Sequence, residues 1–202
     1  MALINSITAV QYSAVMVSRL VAPTTKAATD TALGTNTAAA AYFSGATTPA
    51  LGNYVEIPGI RDMPALGTPA NIVKVPVYGQ AQTQSIGAQS DAPDLELTVN
   101  YNPTSWQRGT GAFHNTSTTV AGTGPLGNIV ADGNNKVFQV ALLAAKSSTL
   151  DCTVTGLGTV PNALIYFVGK VESLLVTPAR DDAMTATVAL SIQSDFYGPY
   201  TI

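Results

Sequence analysis

The sequence predicts a mainly β protein: an antiparallel β-sandwich or partial barrel with a flanking α-helix. Three observations predict it. Residues Met184, Ala186, Val188, Leu190 and Ile192 alternate with Thr185, Thr187, Ala189, Ser191 and Gln193, the period of a half-buried strand. Leu95, Leu97, Val99 and Tyr101 alternate in the same way with Glu96, Thr98 and Asn100. No strand–helix–strand alternation runs through the chain, which argues against a parallel α/β sheet.

The elements follow in order. A strand is expected around Val10–Leu20, from the spacing of Val10, Tyr12, Val15 and Val17. Residues 23–53 are rich in Ala, Thr, Gly and Pro and read as a loop or extended arm, with one helical turn allowed at Ala38–Ala41. Tyr54–Ile57 is a short strand ended by Pro58-Gly59, and Ile60–Gly67 an ordered loop. Ile72–Tyr78 alternates, but Pro76 confines it to an edge or a bulge. Gly79–Asp94 is a polar connection, and Leu95–Tyr101 a strand closed by Asn102-Pro103. Ser105 is placed to cap a short turn bearing Trp106. Six glycines between Gly109 and Gly133 then erase all periodicity, marking a Gly-rich loop insertion at 109–133.

Asn135–Ser147 carries Phe138, Leu142 and Ala145 at helical spacing, with an asparagine to cap it and Lys146 in its last turn, so a helix is expected there, with a strand through Val137–Leu143 as the competing reading. Leu150–Thr155 reads as a strand and Gly156–Asn162 as a turn. Leu164–Asp195 forms the longest strand pair. Its first strand is apolar on both faces to Val168, then amphipathic, with Val171, Ser173 and Leu175 on one side and Lys170, Glu172 and Leu174 on the other. Pro178 ends it.

The 202 residues are expected to form one domain. Charged residues are 10% of the chain, against roughly 25% in an average soluble domain. Apolar content of 46% and a net charge of −3 argue against disorder. A low-charge surface is expected where subunits bury one another. Nine basic residues in a net negative chain give no footprint for gripping nucleic acid. No secretory leader or membrane span is expected.

Few side chains point to chemistry. Gly122, Gly124 and Gly127 match a dinucleotide-binding spacing, but Pro125 lies within it and no helix can open there. His114 is the sole histidine and Cys152 the sole cysteine, so neither a Cys/His metal cluster nor an internal disulfide is expected. The acidic pairs Asp91/Asp94 and Asp181/Asp182 sit in turns beside Pro93 and Pro178, where Asp serves the backbone. Asn115-Thr116-Ser117 is a glycosylation sequon in form only. No catalytic, cofactor or metal site is expected.

Three stretches together resemble the tail tube (major tail) proteins of tailed bacteriophages. Tyr54–Pro64 (YVEIPGIRDMP) is similar to that family's strand, Pro-Gly, hydrophobic, acidic, Pro segment. Asp94–Pro103 (DLELTVNYNP) is similar to its acidic strand ending in Asn-Tyr-x-Pro. Tyr166–Val171 with Met184–Ser194 resembles its aromatic-x-x-Gly-x-Val strand and its final alternating strand. The resemblance implies a β-sandwich or partial barrel whose copies form stacked hexameric rings. Tape-measure and tail terminator or baseplate proteins would be its partners in the virion. DNA would traverse the lumen without specific binding, and no membrane is involved. The polar faces Glu96, Thr98 and Asn100, and Thr185, Thr187, Ser191 and Gln193, become candidates to line that lumen. Other structural β-sandwiches (capsid decoration, fimbrial or secretion-tube subunits) are the alternative. A carbohydrate-active enzyme using Asp91 or Asp181 is a more distant one.

Overall fold

The computed structural model describes residues 12–43, 54–57, 59–67, 72–75, 84–87, 94–103, 134–143, 162–179 and 183–201. In chain order they form β1 (Tyr12–Val21), α1 (Lys26–Leu33), α2 (Asn36–Ala40), β2 (Tyr54–Glu56), β3 (Ile60–Asp62), β4 (Ile72–Val75), β5 (Gln84–Gly87), β6 (Leu95–Asn100), β7 (Lys136–Leu143), β8 (Asn162–Thr177), β9 (Thr185–Ile192) and β10 (Tyr197–Thr201). One antiparallel sheet runs β2-β1-β7-β8-β9-β6-β3, with β10 added on β8. It curls into a half-barrel. β4 and β5 make a separate hairpin.

Chain connectivity explains the curl. β2 and β3 lie at opposite ends of the strand order, yet only residues 57–59 separate them. From Glu56 to Ile60 the backbone can span at most about 14 Å. A flat path of seven strands would place those edges roughly 29 Å apart. The sheet must therefore bend until its edges approach. Ile57 N–H still donates to Val15 O at 2.8 Å, while Gly59 O already accepts from Asn100 N–H at 2.7 Å, so the segment passes from one edge to the other. Gly59 makes this crossing at φ 71°, a conformation that favours glycine.

The concave side of the curl holds one core. Val15 and Val17 of β1, Phe138 and Val140 of β7, Phe167 and Val171 of β8, Val188 and Leu190 of β9 and Leu97 and Val99 of β6 converge there. Phe138 and Phe167 stack with centroids 5.1 Å apart. Among the described residues the convex side is buried over β1, β7 and the first half of β8. There Met16, Val137, Ala141, Leu164 and Tyr166 pack with Leu33, Ala39 and Phe43 from the helical segment.

Residues 23–53, expected as an extended arm, thus contain two helices over 26–40. Thr25 and Thr35 accept hydrogen bonds from Ala28 N–H and Ala38 N–H, capping each one. Thr29 and Leu33, then Ala39 and Phe43, turn one face to the sheet. The alanines allow close approach, and the threonines that looked like loop punctuation are caps.

The helix expected at Asn135–Ser147 is a correction in favour of the competing strand: Lys136–Leu143 is strand β7, in register with β1 and β8 along its length. Val137 and Ala141 serve the convex core and Phe138 and Val140 the concave one. A strand buried on both faces has no alternation to display, and its apolar run imitates helical spacing. The flanking helical layer exists, but residues 26–40 supply it. Two further elements lie where loops were expected, β3 after Gly59 and β5 within 79–94. β10 was not anticipated. The strand expected at 150–155, the turn at Ser105 and the Gly-rich loop 109–133 lie outside the described residues.

The face reading of the second half of β8 is also corrected. Val171 pairs with Leu190, yet Ser173 pairs with Ala189, so Glu172 is an extra, bulged residue. One inserted residue reverses the phase of everything after it. Leu174 therefore packs on the concave core, whereas Ser173, Leu175 and Thr177 register with Ala189, Thr187 and Thr185.

Candidate functional site

Beyond the helices no described residue covers the convex side, and there the polar side chains of three strands meet. β9 alternates strictly between half-exposed and buried positions. β6 buries Leu95, Leu97 and Val99 and turns Glu96, Thr98 and Asn100 outward. Register brings Thr98 opposite Thr187, Asn100 opposite Thr185 and Glu96 opposite Ala189. Ser191 lies opposite Lys170, and Gln193 Nε2 donates to Ser191 Oγ at 2.8 Å. All of Glu96, Thr98, Asn100, Thr185, Thr187, Ser191 and Gln193 thus share one face.

Sequence reading missed what β8 adds. Lys170, Glu172, Ser173, Leu175 and Thr177 border the same face. A base is therefore present where none was expected. Lys170 Nζ lies 3.4 Å from Glu172 Oε1, with side chains 29% and 47% exposed. Leu175, at 61%, stands among hydroxyls. Alternation already sets Lys170 and Glu172 on one side of β8; Ser173, Leu175 and Thr177 join them through the bulge at Glu172, which no residue type announces.

Gly169 marks the boundary between the covered and bare halves of β8. It is the residue at which β8 leaves β7, opposite Lys136, and joins β9, opposite Ile192. A Cβ there would sit 2.9 Å from Ser191 O and 3.2 Å from the Phe167 ring. Only glycine permits that approach.

At the same boundary a polar latch fastens α1. Tyr197 O–H donates to Asp30 Oδ1 at 2.6 Å. Lys26 Nζ donates to the same oxygen at 3.1 Å and to Asp195 Oδ2 at 3.3 Å. The Tyr197 hydrogen bond, then that from Lys26, hold the Asp30 carboxyl below its ordinary range. Burial first, and then the bond to Asp30, push the Tyr197 phenol up to about 12. Hydrogen bonds to Asp30 and Asp195 raise the Lys26 ammonium. Tyr200 O–H donates to Leu33 O at 2.6 Å, capping the end of α1, and burial raises its phenol. Deeper in, Tyr166 O–H donates to Asn36 Oδ1 at 3.0 Å and accepts from Gln139 Nε2 at 3.1 Å.

Among the described residues no three His, Cys, Asp or Glu side chains are grouped to hold a metal ion. Nor is any helix among them long and apolar enough to cross a membrane. Asp94 is exposed just ahead of β6. Asp91, Asp181, Asp182, His114, Cys152 and the glycines 122, 124 and 127 lie outside the described residues.

No family model matches the sequence, and no curated protein does. Among solved structures, a chain of the anti-feeding prophage baseplate, from a six-fold symmetrised cryo-EM structure, is similar at 9% identity with a TM-score of 0.43. The match covers 76% of this chain and 94% of that one.

Proposed function

We propose that this chain is a non-enzymatic structural subunit of a bacteriophage tail tube, self-assembling into stacked hexameric rings around a channel for the genome. One observation carries the reading. The segments that resemble tail tube proteins are distant in sequence, yet Ile60–Asp62, Leu95–Asn100, Thr185–Ile192 and Tyr166–Val171 lie on β3, β6, β9 and β8, which are consecutive in the sheet. The resemblance therefore gathers on one run of adjacent strands, with Tyr54–Glu56 at the far edge of the same sheet. That run bears the polar face and, at its β8–β9 end, the exposed Leu175, Val176 and Met184. A chain with only 10% charged residues is suited to extensive burial between copies.

In this reading the face from Glu96 to Gln193 borders the channel. Hydroxyls and amides hydrate well and give phosphates no salt-dependent hold. Tape-measure, terminator and baseplate proteins would meet the ends of the tube, within the virion.

Electron microscopy of the concentrated protein tests the reading. Six-fold rings and tubes of uniform diameter are expected. Monomers at every concentration, or pilus-like side-by-side fibres, refute it. Placing lysine at both Thr98 and Gln193 then tests the channel face. Tubes should form, but genome ejection should slow, most at low salt where screening is weakest. Unaltered ejection from correctly assembled particles places that face elsewhere.

A further inference from the structure

We infer that Glu172 masks the charge of Lys170, keeping this face from gripping a passing polyanion. The inference rests on the tail tube reading. It begins with the bulge. In an unbroken strand Glu172 would stand directly opposite a β9 residue, but here it is unpaired, between Val171, opposite Leu190, and Ser173, opposite Ala189. Lys170 and Glu172, two residues apart, share one side of the strand with their charges 3.4 Å apart, and the bulge sends Leu174, with Val171, into the core instead of beside them.

As a stabilising contact this pair is worth little, since water and salt screen an exposed ion pair and holding two long side chains together costs entropy. Its effect on potential is different. Lys170 is the base that register places within the polar face, opposite Ser191 of β9, whereas Arg61 stands at its β3 edge beside Asp62, itself opposite Thr98. Alone, Lys170 would repeat with every subunit of every ring. Affinity for a polyanion grows with the number of phosphates neutralised, so a repeated lysine turns a smooth wall into an adhesive one. Glu172 answers the charge at its source. Glu96 is on the same face but is registered with Ala189, across β9 from β8, and serves only as background.

The test compares assembled tubes of the wild type with E172Q, E96Q and E172Q/K170Q, co-sedimented with a fluorescent linear DNA duplex. E172Q and E96Q remove the same charge, but only E172Q unmasks Lys170. E172Q tubes should retain on the order of tenfold more duplex at low salt, an excess that raised salt abolishes. E96Q should change retention much less, and E172Q/K170Q should return to the wild-type level. Closed circular DNA, which cannot thread a channel, should not be retained by E172Q. Equal retention by E172Q and E96Q overturns the masking role, because net charge alone would then explain both. Equal retention of circular DNA overturns its placement in the channel. Tubes that form but show no change in any variant refute this inference while leaving the tail tube reading intact. Failure of the wild type to form rings removes both together.

Discussion

Strand β8 runs through two environments. From Leu164 to Val168 it is a central strand between β7 and β10, with the concave core on one face and the helical layer on the other. From Lys170 to Thr177 it pairs with β9 alone on the described residues, and its convex face is open. The first half is apolar on both faces and the second is amphipathic, so one strand shows how burial on one or two faces writes itself into sequence. The covered half fixes the fold. The bare half is free to vary its chemistry, and the candidate site lies there.

The sharpest way to break this contrast is a charge on each face of β9. Val188 is fully buried in the concave core, and Val188→Asp should cost several kcal/mol, as expected for burying an unpaired charge. It should abolish cooperative thermal unfolding. Thr187→Asp, one residue away on the convex face, should leave stability within about 0.5 kcal/mol. Similar destabilisation by both would mean the convex face is covered, not bare.

A smaller effect is expected in the covered half. Tyr166→Phe keeps the ring but removes the hydroxyl that joins Gln139 to Asn36. The loss should be about 1–2 kcal/mol, the cost of leaving a buried donor unpaired. Urea unfolding measures it. No loss would mean that α2 is held by apolar packing through Ala39 and Phe43 alone.

The same contrast explains which elements the sequence could show. β6 and β9 were legible in detail because one face is buried and the other polar, so alternation survives. β7 was misread because Val137, Phe138, Val140 and Ala141 divide between two cores and leave no polar face. α1 and α2 were obscured because their threonine caps and alanine faces also describe a loop; what makes them helices is the sheet they cover. All seven candidate face residues were identifiable from alternation. Ser173 and Leu175 were not, since placing them depends on a one-residue bulge at Glu172, and the bulge depends on pairing between β8 and β9.

The mildest perturbation acts where the covered and bare regions meet, at the latch of Lys26, Asp30, Asp195 and Tyr197. Two titrations bound its working range. The Asp30 carboxyl is depressed by Tyr197 and Lys26, so its contribution is present above the ordinary carboxylate range and disappears as pH falls through the lowered value. The Tyr197 phenol is raised to about 12. A raised acid is protonated preferentially in the folded state, so its contribution is complete below the ordinary phenol value near 10 and is lost as pH climbs towards about 12. The latch should therefore hold α1 across the whole neutral range and release it at both extremes. Because these groups are exposed, global stability should change little. Hydrogen exchange at the amides of Lys26–Leu33 should instead quicken at acid and strongly alkaline pH, beyond the intrinsic pH dependence followed on exposed amides, while β9 stays protected. Tyr197→Phe should shrink the alkaline limb to the part that the raised Lys26 ammonium supplies, and leave some of the acidic one, also through Lys26. If α1 and β9 lose protection together, the latch is not a local fastening, and the boundary at Gly169 does not divide the molecule as the two halves of β8 suggest.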